Sequence, residues 1–127
     1  MAKVLVVDDE AMVRGALRRM LTNMGHQAWD VADGVEALQL LDAVRFDLVI
    51  SDVYMAAVDG MELLVRIQQR GHQVPVVMIS GGAFLPSDEV LAMARSCGAV
   101  ATLDKPFTPG QLRETIEPLL KVRAAAP

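Results

Sequence analysis

One cysteine, Cys97, in a chain of 127 residues excludes an internal disulfide, so apolar burial must hold the fold together. The apolar runs at residues 4–7, 48–50 and 74–79 are far too short to span a bilayer. Lys3 precedes only four apolar residues, too few for the core of a signal peptide. A formal charge of −4 leaves no chain-wide basic field, so neither a nucleic-acid backbone nor an anionic membrane is expected as a direct partner. No repeat of solenoid period, no low-complexity tract and no CxxC pair occurs. A reducing, cytoplasmic setting follows as the expectation.

What remains is a composition that packs. Hydrophobic residues make up 53% and charged residues 22%, in a length that suits one domain. Short β-branched runs alternate with helix-like stretches, the pattern of parallel strands buried on both faces and joined by crossover helices. Strands are expected over 3–7, 27–31, 48–51, 74–79 and 100–103. Helices are expected over 11–24, 34–44, 60–70, 87–97 and 109–122, with 123–127 as a fraying tail. Gly25, Gly71 and Gly98 stand where left-handed stops belong. Asp33 with Glu36, Asp59 with Glu62, and Thr108 with Gln111 read as helix starts, the last with Pro109 at the first helical position. In the third helix Met61, Leu64, Val65 and Gln68 fall at helical spacing. The fold class predicted is a doubly wound α/β sheet of five parallel strands and five helices. Its working crevice should lie beyond the carboxyl ends of the strands.

The polar residues at those ends carry the chemistry. Strand one runs into Asp8-Asp9, strand three into Asp52, strand four into Ser80, and strand five into Asp104-Lys105-Pro106. Carboxylates meeting in one crevice repel unless protonated or bridged by a hard cation, and oxygen donors without His or Cys favour Mg²⁺ over Zn²⁺. Lys105 and the Ser80 hydroxyl complete a cradle for phosphoryl transfer, with Asp52 central as an aspartyl nucleophile. Each residue alone has a plainer reading: Asp8 and Asp9 as a helix cap, Asp52 and Ser80 as turn residues, Lys105 as a solvated charge. Their joint placement on the ends of different strands outweighs it.

The segments MAKVLVVDDE, LVISDVYM followed by Asp59-Gly60, VVMISG and DKPF, in this order, resemble the receiver domain of response regulators over residues 3–122. The resemblance implies the (βα)5 receiver fold with strand order 2-1-3-4-5 and phosphorylation of Asp52 by a histidine kinase or a histidine phosphotransfer protein. It also implies Mg²⁺, with Mn²⁺ as a substitute, held by Asp8, Asp9, Asp52 and the Tyr54 backbone carbonyl. Lys105, Ser80 and Gly81 would face the phosphoryl group, Thr102 would occupy the switch position, and the bond before Pro106 would be cis. Output would pass to a protein target through the face of the fourth helix, fifth strand and fifth helix. The protein would act as a switch with self-directed chemistry rather than an enzyme on outside substrates. A chain beginning at Met1 and ending soon after the last helix favours a free-standing regulator or a phosphate sink.

Three positions depart from the family pattern. Thr102 stands where an aromatic ring usually turns inward, Ala56 replaces a common proline, and residues 81–86 lengthen the loop before the fourth helix. Tyr54, two residues beyond Asp52, is expected to screen an acyl phosphate from water, while Gly82 offers no side chain there. Two other aspartate-centred or flavodoxin-like readings fit less well. A haloacid dehalogenase-type phosphohydrolase wants a second Asp where Tyr54 stands, and a flavin-phosphate loop would be repelled by Asp8-Asp9-Glu10. A receiver used only for docking is disfavoured by the intact acid set. His26 and His72 read as exposed cap residues without partners, Cys97 as a small core residue, the eight methionines as fillers of helix faces, and Trp29 as packing strand two on a helix.

Overall fold

The structure, a computed structural model, describes residues 2–53, 55, 59–80, 92, 95, 96 and 98–125, with 122–125 as backbone. Five parallel strands, β1 (Lys3–Val7), β2 (Gln27–Val31), β3 (Leu48–Asp52), β4 (Val76–Ser80) and β5 (Ala99–Asp104), form one sheet in the order β2-β1-β3-β4-β5. Four helices are traced among the described residues: α1 (Ala11–Asn23), α2 (Gly34–Ala43), α3 (Gly60–Gln69) and α4 (Pro109–Ala125). Five helices were expected. Of the helix expected over 87–97, Ala92, Arg95 and Ser96 are described and are helical; the rest lies outside the described residues. The last helix of the sequence reading is therefore α4 here.

The alternation within each strand divides the core into two. Leu5, Val7, Val49, Val76 and Met78 face Ala37, Leu38 and Leu41 of α2 and Leu63, Leu64 and Ile67 of α3. Their neighbours Val4, Val6, Leu48, Ile50, Val77 and Ile79 face Leu17 and Leu21 of α1 and Leu112 and Ile116 of α4. Successive side chains of a strand point to opposite faces, so an unbroken apolar run is what a sheet covered on both sides requires. Chain order reverses between β1 and β3, which opens the crevice at their carboxyl ends.

Local signals set most boundaries. Asp33 and Asp59 cap α2 and α3 by accepting from the backbone N–H of Glu36 (2.9 Å) and Glu62 (2.8 Å). Thr108 and Gln111 close a reciprocal capping box at 2.9 and 3.1 Å. Gly25, Gly71 and Gly98 take φ of 89°, 75° and 110°, as their stop positions demand.

Several details differ from the sequence reading. β4 begins at Val76 rather than residue 74, because Pro75 has no N–H for the ladder and serves it only through its carbonyl, which accepts from Val49 N–H at 3.0 Å. The buried stripe of α3 is Gly60, Leu63, Leu64 and Ile67, while Val65 is 38% exposed and Gln68 faces solvent. The reason is Gly60: it meets the sheet so closely that the 60–63–64–67 row, not the 61–64–65–68 row, must face it. α4 continues through Ala125 rather than fraying after 122, although Pro118 inside it removes one backbone donor. Trp29 meets Phe46, in the connection from α2 to β3, edge-on at 5.5 Å and 84°, with the Lys3 ammonium 5.8 Å from the indole centroid. Both histidines are half-buried and have partners. His26 Nδ1 accepts from Ala2 N–H at 3.2 Å, and His72 Nε2 lies 2.9 Å from Asp42.

Candidate functional site

The backbone ladder brings the strand ends to one level. Asp52 closes β3 opposite Ile79, and Ser80 closes β4 opposite Asp104 at the end of β5. Asp8 follows β1 directly, its N–H donating to the Val31 carbonyl at 3.2 Å. Asp8 is fully buried, Asp52 is 6% exposed and Ser80 is 1% exposed. Buried carboxylates persist only when paired, and the pairing group is Lys105. Its ammonium lies 3.1 Å from Asp8 Oδ2, 3.2 Å from Asp52 Oδ2 and 3.9 Å from Glu10 Oε1.

The Lys105–Pro106 bond is cis, and Lys105 N–H donates to the Ser80 carbonyl at 2.6 Å. That hydrogen bond ties the base of the lysine to β4, and its side chain crosses from the end of β5 to Asp8 and Asp52. Burial pulls the Lys105 ammonium toward its neutral form, but the hydrogen bond and charge of Asp8, followed by the charge and hydrogen bond of Asp52, raise its pKa above the ordinary 10.5. Lys105 is thus held charged at neutral pH.

Asp8, Asp9, Glu10 and Asp52 each bring a carboxylate oxygen within 4.8 Å of the others. Asp8 and Asp52 form the buried floor, whereas Asp9 and Glu10 are exposed at its mouth. One ammonium cannot balance four acids. An all-oxygen donor set of this kind suits a hard divalent cation, Mg²⁺ above all, which keeps part of its water and needs only a few carboxylates. Nor are Asp8 and Asp9 a capping pair. The N-cap of α1 is Glu10, whose side chain makes no capping bond, and Asp8 Oδ1 accepts from Glu10 N–H at 2.9 Å.

Of the residues singled out from sequence, the structure brings Asp8, Asp9, Asp52 and Lys105 together. Ser80 reaches the same level, but its hydroxyl donates to Asp104 Oδ1 at 2.8 Å. Thr102, opposite Met78, lies two residues back along β5, and its hydroxyl accepts from Arg95 Nη2 at 3.2 Å. The Tyr54 carbonyl and Gly81 lie outside the described residues, as do Ala56, Cys97 and the loop over 81–86.

Four residues were not assigned to the site by the sequence reading. Glu10 is the third acid of the DDE run, and Asp104 adjoins Lys105, so adjacency to a named residue was the available signal. Arg14 spans the rim, donating to the Asp8 carbonyl at 2.8 Å and to Asp30 at 3.0 Å. Only its position one turn into α1 hinted at this. Gly60 lies against the Asp52 backbone; a Cβ there would sit 2.1 Å from the Asp52 carbonyl oxygen and 2.9 Å from Val53 Cα.

Comparisons with known proteins agree with this arrangement. The family model described as the response regulator receiver domain matches residues 4–117. The sensor histidine kinase RcsC of Salmonella typhi is 35% identical over 113 residues, 89% of this chain and 12% of that protein. The response regulator MprA of Mycobacterium sp. (strain KMS) is 34% identical over 119 residues, 94% of this chain and 50% of that protein. The chain thus spans half or less of the length of these two curated relatives. Among solved structures, the chemotaxis protein CheY4 of Vibrio cholerae is 35% identical with a TM-score of 0.84, covering 94% of this chain and 98% of that one. With its 2-1-3-4-5 sheet, its acid cluster and its Lys105 bridge at the strand ends, the chain belongs to the response regulator receiver domain family.

Proposed function

We propose that this protein is a phosphoacceptor switch of two-component signalling, with Asp52 as the residue that is phosphorylated. The observation that carries the reading is the Lys105 ammonium shared between the two buried carboxylates Asp8 and Asp52. Asp52 is held where an attacking oxygen is needed, and Lys105 is already in place for the charge that gathers on a transferring phosphoryl group. A histidine kinase or a histidine phosphotransfer protein presents phosphohistidine. An Asp52 carboxylate oxygen forms the new P–O bond as the P–N bond breaks, and the imidazole leaves with its electron pair.

Asp8, Asp9, Asp52 and the Tyr54 carbonyl would hold Mg²⁺, or Mn²⁺ in its place, with Glu10 at the edge of the set. The cation supplies neutralisation of charge on the phosphoryl oxygens. Arg14 fixes the Asp8 backbone, so the floor keeps its shape when the charge balance above it changes. The domain then releases its own phosphate, a self-directed reaction rather than turnover of outside substrates.

Phosphorylation biases a two-state equilibrium as Ser80 and Lys105 move toward the new charge, with Gly81 beside them. Output would run through the face of β5 and α4 together with the helix expected from the sequence over 87–97, the one needed for five βα units. Val100 supports this: it is the extra residue at the register shift of edge strand β5 and is 51% exposed. The Arg95–Thr102 bond joins that helical segment to β5 without an aromatic ring. Residues 1–122 act as the receiver unit, and its phosphodonors place its work in the cytoplasm.

The direct test is intact-mass analysis after incubation with acetyl phosphate, with and without Mg²⁺, for wild type and Asp52→Asn. One added phosphoryl group that needs Mg²⁺ and is absent from the variant is the expected result. The same gain in Asp52→Asn would reject the assignment of Asp52.

A further inference from the structure

Ser80 has one proton to give, and it is already committed. The hydroxyl, 1% exposed, donates to Asp104 Oδ1 at 2.8 Å, across the rung on which β4 and β5 both end. The backbone of Ser80 is fixed from the same side, since its carbonyl accepts from Lys105 N–H at 2.6 Å. A serine hydroxyl is a single donor, so it cannot serve Asp104 and a phosphoryl oxygen at once. With the backbone held, release reduces to a rotation about the Cα–Cβ bond between staggered wells.

Resting on the phosphoacceptor reading above, we infer that Asp104 is a positioning residue that latches the Ser80 hydroxyl away from Asp52 and thereby sets how readily the phosphorylated arrangement forms. A hydrogen bond to a carboxylate is stronger than a neutral one, and the phosphoryl group must outcompete it. The latch is also connected through the chain to the charge bridge. Asp104 is followed immediately by Lys105, so the acceptor that holds Ser80 and the ammonium that joins Asp8 to Asp52 belong to one stretch of backbone. A receiver lacking an acceptor at this position would switch more easily. This one is set to stay off.

The experiment is a double-mutant cycle read by calorimetric titration with beryllofluoride, a mimic of the acyl phosphate, in saturating Mg²⁺. Asp104→Ala in the wild-type background is expected to tighten beryllofluoride binding about tenfold, equivalent to about 1.4 kcal/mol. Removing an acid near an anion site also helps by charge alone, so the same substitution is made on Ser80→Ala. There the gain should shrink to about twofold, because no hydroxyl remains to be released. Asp104→Asn, which keeps an acceptor oxygen but only a neutral and weaker one, should give an intermediate gain of about threefold. Equal gains in both backgrounds, or a full gain with Asp104→Asn, would overturn the latch and leave only an electrostatic effect. Tight, Asp52-dependent binding by wild type with no change in Asp104→Ala would overturn the latch while sustaining the phosphoacceptor reading. Failure of all variants, wild type included, to bind beryllofluoride would overturn both.

Discussion

Without a divalent cation, Asp52→Asn should make the protein more stable, even though it removes a partner of Lys105. Asp52 shares its surroundings with the carboxylates of Asp8, Asp9 and Glu10, all within 4.8 Å, where two unit charges repel by about 3.5 kcal/mol at an effective dielectric near 20. Against that stands the attraction to Lys105 at 3.2 Å, worth about 5 kcal/mol on the same scale. Asp9 and Glu10 are exposed, so their repulsion is heavily screened, but the buried Asp8 acts nearly in full. Lys105 is not orphaned by the substitution, since it keeps Asp8 at 3.1 Å. The screened repulsions offset most of the attraction to Lys105, and the cost of keeping a charge in this buried place tips the balance toward the neutral amide by about 1–2 kcal/mol. In urea, with a slope near 2 kcal/mol per molar, the midpoint should rise by about 0.5–1 M in chelator. Adding Mg²⁺ at about ten times its dissociation constant should stabilise the wild type by about 1.4 kcal/mol and the variant much less, closing or inverting the gap. A variant no more stable than wild type in chelator would refute this account of the site as four acids held by one cation.

Three further outcomes follow from the same structure. Gly60→Ala should lose about 1–3 kcal/mol through overpacking, because its Cβ would meet the Asp52 carbonyl at 2.1 Å and Met78 Cε at 2.6 Å; thermal melting and the acetyl phosphate assay should both register the displaced Asp52. His26 has its pKa lowered below 6.5, first by burial and then by the positive amino terminus, with Glu117 opposing. The unfolded chain therefore takes up that proton first, so this contribution to stability is complete above pH 6.5 and is lost as pH falls through the folded value; His26→Gln should flatten that part of a stability–pH curve. Thr108→Ala opens the capping box of α4 and should lower stability by about 1 kcal/mol in denaturant titration without altering Mg²⁺ binding.

The architecture was legible because it rests on periodicity and on residues whose backbone demands are local. Runs such as VLVV and VVMIS announce a sheet buried on both faces, and the capping acids and stop glycines announce helix ends one at a time. The Asp8, Asp9, Asp52 and Lys105 constellation was legible for a related reason. In this fold strand ends converge, so placing residues on ends is nearly equivalent to placing them together. The details that escaped are those decided by contact. The face that α3 presents turns on how close Gly60 comes to Asp52, and no pattern of hydrophobicity within the helix encodes that distance. The partners of His26 and His72 lie 24 and 30 residues away along the chain.

The Ser80–Asp104 bond shows the same division most sharply. That both residues end strands can be read from the sequence; that one binds the other depends on the register shift between Val76 and Val77, which slides β5 by one residue and sets Ser80 opposite Asp104. Were Val100 paired in the ladder rather than bulged out of it, the unshifted register set by Val76 and Ala99 would carry Ser80 opposite Leu103, and the hydroxyl would face an apolar neighbour. The bulge on an edge strand thus decides which side chain competes with phosphate. Thr102, placed opposite Met78 by the same shift, is coupled to Arg95 by a hydrogen bond to its hydroxyl. Both departures point to a switch whose off state is held by specific hydrogen bonds to β5, and whose threshold is therefore open to change by single substitutions on that strand.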